Sequence, residues 1–398
     1  MFWQYWSGSE KEPLVDLVTK FNSEDHGFEV EMLSISMPRK KILMAIAAGV
    51  PPDLIHLDGD MVVDLGLRGG LTDLSPLLRA QDSGLGGYIP IYIEMLNING
   101  KQFAMPLMPT CEAMHVNKTL LDQYDLPVPQ NLNDIVKVFD AVTDSSKDPL
   151  ERYSPRALQP HIGWLPSWPP WSGKFIVSAF GGDWQVANSA ENIAAWTWVQ
   201  DNFASKIPKD KLAAFTEGFH AYQSPDNPFY SGRIAIENSG VWEYNLAGIF
   251  APKMEVVVAA FPSVIATLSE EKGKQSNAGT QVAVDALAIP RDAKHPQEAL
   301  KFMQWLAKQE NLEYLALAQK KFSPLKKISS GFFDKHPNPY IKTFVDLANS
   351  PSATYFPQVS YSSRYKREIK AAYLKVLRME AKPQEALDDL QAIFAANN

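Results

Sequence analysis

The order of elements in this sequence predicts an α/β fold built on parallel strands. Three observations carry that expectation. An aromatic strand opens the chain, helix-period stretches alternate with short apolar strands from Glu10 to Gly59, and the same alternation resumes well past the middle.

Phe2-Trp3-Gln4-Tyr5-Trp6 reads as the first strand and runs into the Ser7-Gly8-Ser9 turn. Leu14, Leu17, Val18 and Phe21 recur at helical spacing directly behind it, and Gly27 stops that helix. Such a turn offers the backbone N–H groups of a helix start at the carboxyl end of a strand, where open α/β sheets bind ligands. Residues 28–32 alternate as a strand, residues 39–48 form a second helix ended by Gly49, and residues 51–59 read as a buried strand closing in an acidic turn. Asn99-Gly100, set between Ile98 and Gln102, is a two-residue hairpin signal. Residues 131–142 are helical, with Asn131 or Asn133 as the cap, and residues 190–203 form a helix carrying Trp196 and Trp198. Residues 233–236 form a short strand that stops at Glu237-Asn238-Ser239-Gly240. Residues 256–260 and 286–289 are further apolar strands, and helices cover 296–307, 312–318 and 367–380. Residues 269–277 are polar and read as an exposed excursion.

Composition narrows the class. A chain of 398 residues that is 45% hydrophobic and 21% charged is ordinary for a globular protein of about two or three domains. A net charge of −7 argues against nucleic acid as a partner, and no apolar run approaches the roughly 20 residues of a membrane span. One cysteine, Cys111, excludes an internal disulfide and a cysteine-rich metal site, and it reads as a small buried hydrophobe. The seven histidines are scattered without metal-ligand spacing. No nucleophile elbow, dinucleotide fingerprint or phosphate loop occurs, so no cofactor, metal or catalytic residue is expected. Asn117-Lys118-Thr119 matches a glycosylation sequon at the level of chance.

Six motifs, in order, resemble the family 1 extracellular solute-binding proteins of ABC importers, the maltose-binding-like group. They are the opening residues 2–10, Ala47-Ala48-Gly49-Val50-Pro51-Pro52-Asp53-Leu54, Asn99-Gly100-Lys101-Gln102-Phe103-Ala104-Met105-Pro106, Phe180-Gly181-Gly182-Asp183, Phe229-Tyr230-Ser231-Gly232-Arg233-Ile234-Ala235-Ile236 and Ser239-Gly240-Val241-Trp242. One departure is that Val116-Asn117-Lys118 stands where the family often carries Tyr-Asn-Lys; another is the segment Met108-Pro109-Thr110-Cys111-Glu112. The resemblance implies a two-lobed periplasmic-binding-protein fold (type II-like), its discontinuous lobes joined by a hinge around a central cleft. Placed by motif, the N-terminal lobe spans 1–108 and 261–312, and the C-terminal lobe 109–260 and 313–398. It further implies a non-enzymatic monomer that captures a carbohydrate, a neutral di- or oligosaccharide, by hinge closure and delivers it to ABC permease membrane subunits. The protein would be periplasmic or at the cell surface, with an export leader expected ahead of the first strand.

Candidate ligand residues follow from the chemistry of sugars, whose apolar ring faces suit aromatic side chains and whose hydroxyls suit carboxylates and backbone donors. Tyr5, Trp6, Ser7 and Gly8 sit at the first turn, with Trp6 and Ser7 foremost; the plainer reading buries the strand aromatics in the core. Asp58 and Asp60 end a parallel strand, where they either bind hydroxyls or cap the helix that follows. Trp168 and Trp171 lie in a Pro-rich loop and either pin it or line the cleft. Gly182 and Asp183 shape a turn. Glu237, Asn238, Gly240, Trp242 and Glu243 occupy the loop after the second-lobe strand, Trp242 first among them, and Tyr361 and Arg364 lie in a loop-to-helix stretch. Two alternatives remain: a carbohydrate-active enzyme such as a glycosidase, which needs two carboxylates at a set separation, and a binding protein for a glycerophosphodiester or another anionic solute.

Overall fold

The computed structural model describes residues 1–36, 38–79, 85–143, 162–164, 172–207, 224–263 and 279–396. The chain divides into two compact units. The first is made of Met1–Thr110, Val282–Ile341 and Tyr355–Ser363, and the second of Cys111–Gln281, Lys342–Thr354 and Arg364–Asn398.

In the first unit the strand Phe2–Gln4 (β1) lies between Met32–Ser34 (β2) and Leu54–Asp58 (β3), parallel to both. The strand expected at 28–32 thus begins only at Met32. Val30 spends its backbone groups on the Asn22 side chain instead, its N–H donating to Oδ1 (2.8 Å) and its carbonyl accepting from Nδ2 (3.0 Å). The helix Glu12–Ser23 buries Leu14, Leu17, Val18 and Phe21 as its spacing predicts. It does not follow the first turn at once, because a short 3₁₀ turn, Gly8–Glu10, intervenes. The helix Pro38–Ala47 ends at Gly49 (φ 69°), where Val50 N–H bonds to Ala45 O and Gly49 N–H to Ile46 O, the paired bonds of a left-handed helix stop. Asn97–Ile98 (β4) and Lys101–Gln102 (β5) form the expected hairpin, with Asn99 at φ 53° and Gly100 at φ 77°. Positive φ at both central residues is what a two-residue turn matching strand twist requires.

The chain leaves the first unit inside Ala104–Asn117 (β6), at Thr110, and returns inside the long strand Thr280–Ala288 (β10), at Val282. The sequence reading put these passages at 108 and 260. It also gave residues 313–341 to the other lobe, whereas they fall in the first unit. The helix Gln309–Gln319 sets Leu312, Leu315 and Ala316 into the core formed by Phe2, Leu14, Leu17 and Phe21. Within the first unit β10 pairs antiparallel with β3, Asp285 facing Asp58 and Leu287 facing His56.

In the second unit the strand Ile234–Gly240 (β8) is buried along its whole length. It pairs antiparallel with the latter half of β6 and parallel with Ile162–Trp164 (β7). Val256–Ala259 (β9) pairs with the same half of β6, and Thr280 and Gln281 of β10 pair with Ala353–Thr354 (β11). The strand expected to stop at Glu237 therefore continues through the polar run, since backbone pairing with β6 holds Glu237 to Gly240 in the ladder. Trp184, Trp196, Tyr365 and Tyr373 build an aromatic core under the helices Ala190–Asn202, Ser362–Leu377 and Pro383–Ala395. Cys111 is fully buried, its thiol on the Phe344 carbonyl and its ionisation pushed well up by burial. Asn117 of the sequon is 3% exposed and caps the next helix through Leu120 N–H (2.9 Å).

Candidate ligand-binding site

At the carboxyl ends of β1 and β3 the first unit gathers an aromatic and acidic cluster. The Tyr5 ring stacks on His56 at 4.2 Å and 8°, and its hydroxyl donates to Asp285 Oδ1. His56 Nε2 stands 3.5 Å from the same oxygen. The Trp6 edge meets His56 at 4.3 Å, and the Lys321 ammonium sits 5.3 Å from the Trp6 ring centre while pairing with Glu10 at 2.6 Å. Burial drives the Tyr5 hydroxyl well above its usual pKa, and the charges of Asp285, Asp58 and Glu10 push the same way, so it stays a donor. Burial works to raise the Asp285 pKa, yet hydrogen bonding and charge from His56, with Lys321 and Tyr5 behind them, hold it below the usual carboxylate value. A charged carboxylate therefore stands here beside a neutral phenol.

The expected residues of this unit divide by exposure. Trp6 is 4% exposed and belongs to the core, so it supports the cluster from beneath. Ser7 and Gly8 are exposed. Ser7 precedes the 3₁₀ turn without spending its hydroxyl on a cap, and Gly8 takes φ 54°. Asp58 forms the helix cap that was its alternative role, accepting from Met61 N–H at 2.8 Å, and still remains exposed. Asp60 is half-buried in the first turn of that helix. Tyr361 lies on a segment stapled to this unit. Gln358 Nε2 donates to the Glu94, Met95 and Asn97 carbonyls, Arg68 to Ser360 O, and Ser363 to Asp64. Arg364 begins the next stretch of the second unit, exposed and 3.9 Å from Glu368.

In the second unit the end of β8 carries the other candidates. Glu237 and Asn238 are 1% and 0% exposed, and Glu243 is 0% exposed, so these three face the interior, contrary to the expected loop. Ser239 Oγ donates to Glu243 Oε2 at 3.0 Å. Burial, then the neighbouring Glu243 charge, drives the Glu237 pKa well up. Glu243 is held up to about 7 by burial against the opposing hydrogen bonds of Tyr230 and Ser239. His115, opposite Glu237 in the β6–β8 register, is buried and pushed down to about 3. Trp242 is half-buried at the start of the helix Glu243–Phe250. Its six-membered ring lies where a Cβ on Gly240 would be, so only glycine leaves room for the indole. Gly182 is closed in by Asn192 and Glu191. Asn192 Nδ2 donates to the Asp183, Val186 and Ala187 carbonyls, while the exposed Asp183 accepts from Gln185 N–H. Gly182 and Asp183 form a turn clamped to a helix start. Trp168 and Trp171 lie outside the described residues.

Sequence reasoning missed His56, Asp285 and Lys321. The first two leave a signal: His56 shares a strand face with Asp58, and Asp285 interrupts the apolar run Val282-Ala283-Val284 and Ala286-Leu287. Lys321 leaves none, because its position depends on the helix Gln309–Gln319 packing against the helix Glu12–Ser23 and the Gly8–Glu10 turn. Among the described residues no group of three or more His, Cys, Asp or Glu is placed to hold a metal ion, and no helix is long and apolar enough to cross a membrane.

Parallel strands in the first unit carry polar and aromatic side chains at their carboxyl ends, the place where open α/β sheets bind ligands. The chain belongs to the bacterial extracellular solute-binding protein family, whose model matches residues 7–313, and it is a solute-binding protein of the ABC-transporter type. That family is non-catalytic, so the glycosidase alternative falls. An ABC-transporter extracellular-binding protein of Pyrococcus horikoshii is 20% identical over 333 residues, covering 81% of this chain and 72% of that protein. Among solved structures, CpMnBP1 with mannotriose bound shares the fold at a TM-score of 0.80 with 21% identity, over 98% of both chains. The substrate-binding protein Lmo0181 of Listeria monocytogenes in complex with cycloalternan gives 0.77 with 17% identity, over 99% of this chain and 97% of that one.

Proposed function

We propose that this protein captures a neutral di- or oligosaccharide by hinge closure and delivers it to the membrane subunits of an ABC importer, acting in the periplasm or at the cell surface. The observation that carries this reading is the cluster at the ends of β1 and β3. There an aromatic ring, Tyr5, stands with the carboxylates Asp58 and Asp285, and Asp60 follows in the next helical turn. Carboxylates accept sugar hydroxyls strongly, and aromatic rings cover the apolar faces of sugar rings. The same negative charge repels a phosphodiester or uronate, which disfavours the anionic alternative. Similar folds that hold mannotriose and cycloalternan support the saccharide class.

Exposure selects the contacts within the expected set. Tyr5, Ser7, Gly8, Asp58 and Asp60 serve on the first unit, with Trp6 beneath them. On the second unit Trp242 supplies a stacking face, while Asp183 and Arg364 are exposed polar groups. Tyr361 contributes a ring edge from its stapled segment. Glu237, Asn238 and Glu243 act from the interior, and Gly182 and Gly240 shape the backbone. Thermal-shift and calorimetric titration against mannobiose, mannotriose, maltotetraose, digalacturonate and glycerophosphocholine test the reading. Neutral sugars are expected to raise the unfolding midpoint in proportion to the logarithm of their concentration. Stabilisation by none of the neutral saccharides overturns it.

A further inference from the structure

Asp285 is absent from the residues that motif order nominates, yet its geometry is that of a prepared acceptor. Two groups converge on a single oxygen: the Tyr5 hydroxyl donates to Oδ1, and His56 Nε2 stands 3.5 Å from it. Tyr5 and His56 are stacked ring on ring, so both are fixed and the carboxylate plane is fixed with them. The second oxygen, Oδ2, receives no hydrogen bond among the described residues, and the side chain is 22% exposed while that of His56 is 0% exposed. An oriented carboxylate with one oxygen occupied and the other accessible is arranged for an outside donor, and a charge-assisted bond to it is the stronger kind. Its place agrees, since it faces Asp58 across the β3–β10 ladder at the carboxyl end of β3.

We propose that Asp285 binds the ligand directly, accepting a saccharide hydroxyl on Oδ2, and that Tyr5 and His56 are positioning residues that aim it. This rests on the saccharide reading above and deepens it, because it makes the first unit select a ring carrying a hydroxyl donor at one defined position. A sugar lacking that hydroxyl leaves a charged acceptor dry and is rejected.

The test uses the full chain and whichever of mannobiose, mannotriose and maltotetraose binds most tightly, together with its monodeoxy derivatives. In the unaltered protein one deoxy derivative is expected to bind roughly 10- to 100-fold more weakly than the parent sugar. In Asp285→Asn, where an amide replaces the aimed carboxylate, the parent sugar weakens by a similar factor and the deoxy penalty shrinks to about twofold or less, the signature of direct coupling. Tyr5→Phe, which leaves the carboxylate but frees Oδ1, is expected to halve that penalty on a logarithmic scale, and it keeps the test alive should the Asn variant fail to fold. Equal deoxy penalties in the unaltered protein and the variants overturn the Asp285 assignment while leaving the saccharide reading intact. Failure of the unaltered protein to bind any of the three sugars overturns that reading and the assignment together.

Discussion

Gly240 and Trp242 are set against each other so closely that a single methyl group on the first would occupy the ring of the second. The indole is held over the end of β8 by the absence of a side chain two residues before it. Gly240→Ala is therefore expected to swing Trp242 off the strand end, destabilise the second unit by about 1–3 kcal/mol through overpacking, and shift the tryptophan emission. Fluorescence spectra beside urea unfolding curves check both effects. An unchanged spectrum with full stability contradicts the placement.

The buried pair Glu237 and Glu243 gives the second unit a pH dependence with a definite sign. Both pKa values are raised in the folded protein, so their contribution is fully present below about pH 4.5, the ordinary value, and is lost as pH rises toward 7 and beyond. The raised value of about 7 for Glu243 corresponds to about 3 kcal/mol across that window. Asp285, whose pKa is lowered, contributes in the opposite sense, losing its share as pH falls below its ordinary value of 3.8. Unfolding midpoints measured from pH 4.5 to 7.5 should decline with rising pH, and Glu243→Gln should remove only its own part of the decline, leaving the part that burial of Glu237 supplies.

Asn192 supplies its side-chain amide to three carbonyls of the turn around Asp183. Asn192→Ala leaves those acceptors short of a donor and is expected to cost about 2–3 kcal/mol in denaturant unfolding. Asn192→Asp, which keeps the size but loses the donor, should cost at least as much.

Gln358 staples residues 355–363 to the first unit through one amide nitrogen and three carbonyls. Gln358→Ala is expected to speed hydrogen exchange in that segment at least tenfold while lowering the global midpoint by only a few degrees. Peptide-resolved exchange mass spectrometry reads the difference. Uniform loosening of the whole unit would show that the staple is not local.

The parts of the fold legible in the sequence are those set by neighbours along the chain. Asn99-Gly100 predicts its hairpin because the turn alone dictates positive φ, and Asn131 predicts its cap because the bond to Asp134 N–H is local. The family, too, could be read from motif order. The misread elements are those decided by distant partners. Val30 leaves the strand because Asn22 takes its backbone groups, and Glu237 stays in a strand because β6 pairs with it, although its polarity marks a strand end. The candidate site shows the same divide. Ser7 and Asp58 follow from the strand–turn–helix pattern, whereas Asp285 reaches Tyr5 from 280 positions away and Lys321 comes from beneath. Trp6 illustrates the cost of reading a strand end by composition, since its ring completes the core.

The helix Glu12–Ser23 finds its partners in the helices Pro296–Leu306 and Gln309–Gln319, where Phe21 meets Phe302 and Lys20 bonds to Asn311 across a separation of 291 residues. During synthesis the amino-terminal segment must therefore wait, its apolar stripe of Leu14, Leu17 and Phe21 uncovered, until Leu312 and Leu315 emerge. At a ribosomal pace of about 5–20 residues per second that delay is on the order of 15–60 seconds. The nascent chain is thus kept from finishing its first unit by its own connectivity. For that interval its uncovered apolar stripe is a natural site for holdase chaperones.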